Sequence, residues 1–177
     1  MVRALLIGLG AIPVILALMI AIPMITTPEV PTSASNPNDK IELEYTIHQL
    51  KRVSHGVTER VGSVQTEILD IDEDGQVTYR LVEEGYPQPD KEGKISQEKL
   101  RKLSALVKET GLIAIPSENF PVNDDVEEYQ KSTLKITLNG RTKQIHWPEP
   151  NATEKFIPPI IIMIESELDS IMEQVRE

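Results

Sequence analysis

The residues best suited to chemistry in this chain are acidic. Asp70, Asp72 and Asp74 alternate along Asp70-Ile71-Asp72-Glu73-Asp74-Gly75-Gln76-Val77, with glycine at the sixth place and an aliphatic residue at the eighth. Alternate carboxylates on a tightly turning chain can converge on one ion, and calcium takes about six to eight hard oxygens, so the run reads as the first half of a calcium loop. The second half departs from that pattern: Thr78 stands at the ninth place and Leu81 at the twelfth, where a bidentate carboxylate belongs. The competing expectation is a plain Asp-Gly hairpin tip that needs no ion. Calcium is the one cofactor the sequence suggests.

A second acidic group, Asp124, Asp125, Glu127 and Glu128, holds carboxylates of the kind used in pairs for acid–base work, although an acidic loop is the simpler reading. His48, His55 and His146 lack metal-ligand spacing, and His146 alternates with Ile145 and Trp147, which turns it toward the wetter face of a strand. There is no Gly-x-Ser-x-Gly elbow, no glycine-rich phosphate loop and no cysteine, so thiol catalysis and Cys-ligated metals are excluded. The expectation is a protein with no catalytic residue.

The elements that would carry these groups follow from hydrophobic periodicity. Ile41, Leu43, Tyr45 and Ile47 alternate with polar residues, as do Val77, Tyr79 and Leu81 beyond the Asp-Gly turn, and an extended stretch covers Val61 to Asp72. Ser96 is placed to cap a helix, with Ile95 and Leu100 as its staple and Leu100, Leu103, Leu106 and Val107 as its apolar stripe, ending at Gly111. Leu134, Ile136 and Leu138 lead into Asn139-Gly140, the strongest short hairpin signal, with Ile145 and Trp147 beyond it. Pro158-Pro159 opens a last helix with Ile161, Ile164, Leu168, Ile171 or Met172, and Val175 at helical spacing. The predicted fold is α+β: a ββαββα domain with an antiparallel sheet of about four strands and two helices on one face.

The hairpin from Leu69 to Tyr79, the helix leading into Gly111-Leu112-Ile113-Ala114-Ile115-Pro116, the segment from Tyr129 through Leu134 to Gly140, and the prolines before the final helix together resemble the emfourin-like proteins. These are small inhibitors of thermolysin-type metallopeptidases, with related α+β domains, and the likeness spreads over residues 57–177. The resemblance implies an α+β fold and an inhibitory activity, and it assigns no functional residue. Where that family has a Gly-Gly-Phe-like turn after the first strand, this chain has Ser54-His55-Gly56-Val57.

Ahead of the domain, Ala4 to Ile25 is an unbroken apolar run, about 33 Å long as a helix, enough to cross a hydrocarbon core of about 30 Å. It is longer than the apolar region of a cleaved secretory signal, and Thr32-Ser33-Ala34, the nearest cleavage-like site, lies well past its end. Residues 1–25 therefore read as a transmembrane anchor and 26–40 as a linker rich in Pro, Ser, Thr and Asn, leaving 41–177 as the acidic α+β domain. Arg3 precedes the run and the next basic residue is Lys40, so the N-terminus is expected in the cytoplasm and the domain outside, in a single-pass cell-membrane protein. Ala4, Gly8, Ala17 and Ala21 have the small-residue spacing of packed membrane helices, and Asn151-Ala152-Thr153 is a glycosylation sequon at Asn151.

Charge bounds the partners. All of the Lys and Arg except Arg3 and Lys40, and all of the Asp and Glu except Glu29 and Asp39, lie in residues 41–177, which thus carry the whole formal charge of −10. Nucleic acid is a poor partner for such a surface, whereas cations and basic protein surfaces suit it. The leading expectation is a membrane-anchored, extracytoplasmic binding or accessory domain for another membrane or envelope protein. Inhibition of an extracytoplasmic metallopeptidase and calcium-dependent binding are the alternatives.

Overall fold

The computed structural model describes residue 36 and residues 38–55, 58–115 and 120–177. Among these residues seven strands, two α-helices and two short 3-10 turns follow one another: β1 Ile41–His55, β2 Thr58–Ile71, β3 Gln76–Glu83, β4 Tyr86–Pro87, β5 Lys91–Lys94, α1 Gln97–Glu109, a turn at Leu112–Ala114, β6 Glu128–Leu138, β7 Arg141–Pro148, a turn at Pro150–Ala152, and α2 Pro159–Arg176. The strands form one antiparallel sheet in the order β4-β3-β2-β1-β6-β7, with β5 also pairing β3.

Alternation decides which face is covered. Leu43 lies opposite both Ile71 and Ile136, and Tyr45 lies opposite Leu69 and Leu134, so the odd-numbered residues of β1 share a face with those partners. Val77, Tyr79, Ile145 and Trp147 extend it, and all of these side chains are buried. Helix α2 lies against this face, presenting Ile161, Ile164, Leu168, Ile171 and Met172, and α1 contributes Leu100, Leu103, Leu106 and Val107. Ser96 caps α1 by accepting from the Lys99 amide at 3.1 Å, and Gly111 takes the left-handed conformation after its end (φ 62°). Close approach explains another glycine: a Cβ on Gly93 of β5 would meet Val175 of α2 at 3.0 Å.

This architecture corrects the predicted fold. Five strands precede α1, where two were expected, and the sheet has seven strands rather than about four. Of the three additional strands, β3 carries the alternation already read at Val77, Tyr79 and Leu81, while β4 and β5 lie in Tyr86-Pro-Gln-Pro-Asp-Lys-Glu-Gly-Lys94, which has no apolar alternation because an edge strand is held by its backbone bonds to β3 and buries little. Glu84 and Gly85, both at positive φ (50° and 84°), form the tight turn that returns the chain to β3.

A second correction concerns the membrane. Among the described residues no helix is long and apolar enough to span one. The anchor expected at 1–25, including Ala4, Gly8, Ala17 and Ala21, and most of the linker lie outside the described residues. The described residues form an α+β domain and give no spanning helix to support the single-pass membrane architecture and the extracytoplasmic location expected from the sequence. An apolar run satisfies the length criterion for a span without itself showing a spanning helix.

Candidate functional site

The acidic turn is closed by its own chain. The Gly75 amide donates to the Asp72 carbonyl at 2.9 Å, the Asp72 amide to the Gln76 carbonyl at 3.0 Å, and Gly75 sits at φ 81°. The Asp74 carboxylate accepts from the Gln76 amide at 3.1 Å, an Asx turn. Asp70, farther down β2, pairs with Arg80 on the opposite side of the β2–β3 ladder. Asp70, Asp72 and Asp74 therefore serve different partners, and among the described residues no group of three or more His, Asp or Glu side chains is placed to hold a metal ion.

One face of the sheet is left uncovered by the described helices. The residues that alternate with the core, including Glu42, Glu44, Thr46 and His48 of β1, Asp70 of β2, Arg80 of β3, Lys135 of β6 and His146 of β7, are all exposed or half-buried. No described helix lies over them. Near the β2–β3 turn this face forms a concavity of about 410 Å³ lined by Glu42, Glu44, Asp70, Asp72 and Asp90 together with Arg80 and Lys135. Both cations are already engaged, Arg80 by Asp70 and Lys135 by Glu44 at 3.0 Å. Three of the five carboxylates exceed the available positive charge.

Farther along the same face, His48 bonds Thr66 at 3.0 Å and His146 bonds Thr133 at 2.9 Å, each through Nδ1. Partial burial, and then the charge of Lys131, lower both imidazoles below their ordinary range. The two histidines sit on different strands, and each is held by a threonine.

A set of groups that sequence inspection passed over lies between α2 and the sheet. The Glu165 Oε1 accepts from Trp147 Nε1 at 3.1 Å, from Ser132 Oγ at 3.1 Å and from the Tyr45 hydroxyl at 3.4 Å. All three donors are buried, and the Tyr45 and Trp147 rings stack with centroids 6.3 Å apart. One turn on is Asp169, whose carboxyl is raised to about 6 by burial first and then by the charge of Glu165. Across from them Glu67 of β2 accepts from the Tyr79 hydroxyl at 2.8 Å and pairs with Arg176. Burial and then the bond to Glu67 push the Tyr79 phenol up to about 12. The signal was available: Trp and Tyr at core positions need polar partners, and Glu165 and Asp169 border the apolar stripe of the last helix.

Of the other expected groups, Asp124 and Asp125 are exposed in the loop before β6, where the Arg52 guanidinium donates to the Asp124 carbonyl and the Arg52 amide to the Glu127 carbonyl at 2.6 Å. Glu128 pairs with Lys51. This loop is tied to β1 mainly by backbone groups. Asn151 is exposed in the turn at Pro150–Ala152, while Thr153 of its sequon is buried and accepts the Lys155 amide at 3.2 Å.

Fold and site thus define a class, an α+β domain with a one-sided antiparallel sheet and an acidic open face. No family model matches the chain, and no curated protein matches it.

Proposed function

We propose that this domain is a non-catalytic binding module that takes a basic protein segment on the open face of its sheet. The observation that supports the reading is the acidic concavity beside the β2–β3 turn, where Glu42, Asp72 and Asp90 exceed the two engaged cations on an uncovered face. Extended sheet surface offers area, and uncompensated carboxylates offer attraction for lysine and arginine and repulsion of nucleic acid. The test is an NMR titration of the isotope-labelled full chain with a lysine- and arginine-rich peptide, using a glutamate-rich peptide of equal length as control. Salt-sensitive shifts at Glu42, Glu44, Asp72, Thr78 and Lys135 that are lost in the Glu42→Gln/Asp72→Asn variant are the expected result. No response at millimolar peptide, or an equal response to the acidic peptide, overturns it.

A second reading, inhibition of a thermolysin-type metallopeptidase, is favoured by the β1–β2 hairpin. Strand β6 begins opposite Lys51 and the Arg52 amide still reaches the Glu127 carbonyl, so Val53 to His55 pair only with β2 and run past the sheet as a two-stranded ribbon. Val53 and Val61 are exposed on that ribbon (39% and 49%), a shape suited to entering a cleft. Assay of the full chain against a panel of thermolysin-like enzymes decides it, and absence of inhibition at micromolar concentration removes it.

A further inference from the structure

The seam between α2 and the sheet holds more negative charge than its neighbours neutralise. Glu165, Asp169 and Glu173 recur at four-residue spacing along one edge of the helix's apolar stripe, the spacing at which like charges on a helix oppose one another. Around Asp169, α2 itself presents Glu165, Glu173 and Arg176; β1 presents the Tyr45 hydroxyl; β2 presents Glu67; and β3 presents the Tyr79 hydroxyl, which is bonded to Glu67. From β6 and β7, Ser132 and Trp147 give their protons to Glu165. Lys91 of β5 reaches the Arg176 carbonyl, and Lys99 of α1 reaches the Gln174 side chain at 3.3 Å. The Arg176 guanidinium is engaged by Glu67 and lies 5.6 Å from the Tyr79 ring centre. Asp169 Oδ1 is buried with no hydrogen-bond partner; the carboxyl's bond to the Tyr45 hydroxyl lowers it, but burial and the charge of Glu165 outweigh that bond.

An orphaned carboxylate oxygen among three other carboxylates is poorly placed as an anion and well placed as an acid. We propose that the seam is a proton-operated latch: a proton on Asp169 seats the C-terminal half of α2 on the sheet, and its loss loosens that half. The N-terminal half is independent of this proton, since Ile161 and Ile164 are fully buried and Glu165 is satisfied by three donors. The C-terminal half depends on Leu168, Ile171 and Met172 and on the contact of Val175 with Gly93, all beside the acidic edge.

Because folding raises the carboxyl from 3.8 to about 6, the native state holds this proton more tightly than the unfolded one. The stabilisation is complete below the unfolded value and is lost as pH rises through about 6. Between pH 5 and 7.5 the linked opening equilibrium changes by roughly tenfold at most, and by severalfold once solvent screening of a half-exposed carboxyl is allowed for.

The test is amide hydrogen exchange on the full chain at pH 5 and pH 7.5, corrected for intrinsic rates, with carboxyl carbon shifts reporting the titration of Asp169. Severalfold loss of protection at higher pH, confined to the amides of residues 168–176 and absent from those of β1 and β6, is the expected outcome. Asp169→Asn should remove the pH dependence and hold the helix at its acid-state protection. Glu173→Gln should lower the Asp169 midpoint and weaken the effect, which keeps the test decisive if Asp169→Asn folds poorly. Protection of α2 that is independent of pH, or that keeps its pH dependence in either variant, overturns the latch.

Discussion

Replacing Glu165 tests whether α2 is held to the sheet by its carboxylate or by apolar burial alone. One oxygen, Oε1, accepts from Trp147, Ser132 and Tyr45, whose relative exposures are 1%, 2% and 0%; if the acceptor is removed Trp147 and Ser132 cannot turn to water, whereas Tyr45 keeps its bond to Asp169. A buried donor left unsatisfied costs about 1–3 kcal/mol. Two of the bonds are of ordinary length and the third, at 3.4 Å, is near the limit. Glu165→Ala should therefore cost about 2–5 kcal/mol, a large share of the roughly 5–15 kcal/mol that holds a domain together. Glu165→Gln keeps an acceptor at the same place and removes the charge that opposes Asp169, so its cost should stay below about 1.5 kcal/mol. Urea unfolding followed by the fluorescence of Trp147, the only tryptophan, reads both the stability and the site itself. A loss under about 0.5 kcal/mol in Glu165→Ala, or equal losses in the two variants, would refute the reasoning, since either would mean that Trp147 and Ser132 do not depend on this oxygen.

Three further predictions follow from contacts described above. Gly93→Ala should destabilise by about 1–3 kcal/mol through collision with Val175, and Val175→Ala in the same chain should restore most of the loss, measured by chemical unfolding. In a calcium titration to millimolar concentration the amides of Asp70 to Thr78 should stay in place, because Arg80 and the Gln76 amide already occupy the carboxylates of Asp70 and Asp74; saturable shifts there would restore the calcium loop. His48 and His146 have imidazoles lowered by folding, so the unfolded chain binds their protons more tightly and stability falls as pH drops below about 6.5. The His48→Gln/His146→Gln variant should flatten that acid limb without touching the oppositely signed contribution of Asp169; an unchanged limb would show that these histidines do not carry it.

The individual elements were largely legible before the structure, because each has a local cause. Alternation around Tyr45 and Leu134, the cap at Ser96, the Asn139-Gly140 turn at φ 51° and 78°, and the apolar stripe of α2 all depend on neighbours within a few residues. Strand number was not legible, since β4 and β5 are made strands by hydrogen bonds to β3 rather than by side chains of their own. The candidate site divided in the same way. Asp70, Asp72 and Asp74 look like one ligand set in the sequence, yet the strand pleat and the turn send them to Arg80, to the rim of the open face and to a backbone amide.

What the sequence alone determined is the acidic charge, the absence of cysteine and the local signals for strands, caps and turns, all of which follow from composition and short-range sterics. Tertiary structure alone decided that one sheet face stays open with an excess of carboxylates, and that Glu165 and Asp169 meet Tyr45, Trp147 and Glu67. The reason is distance along the chain. Burial and hydrogen bonding join residues separated by as many as 120 positions, Tyr45 and Glu165 among them, and the perturbed carboxyl of Asp169 exists only where those segments pack together.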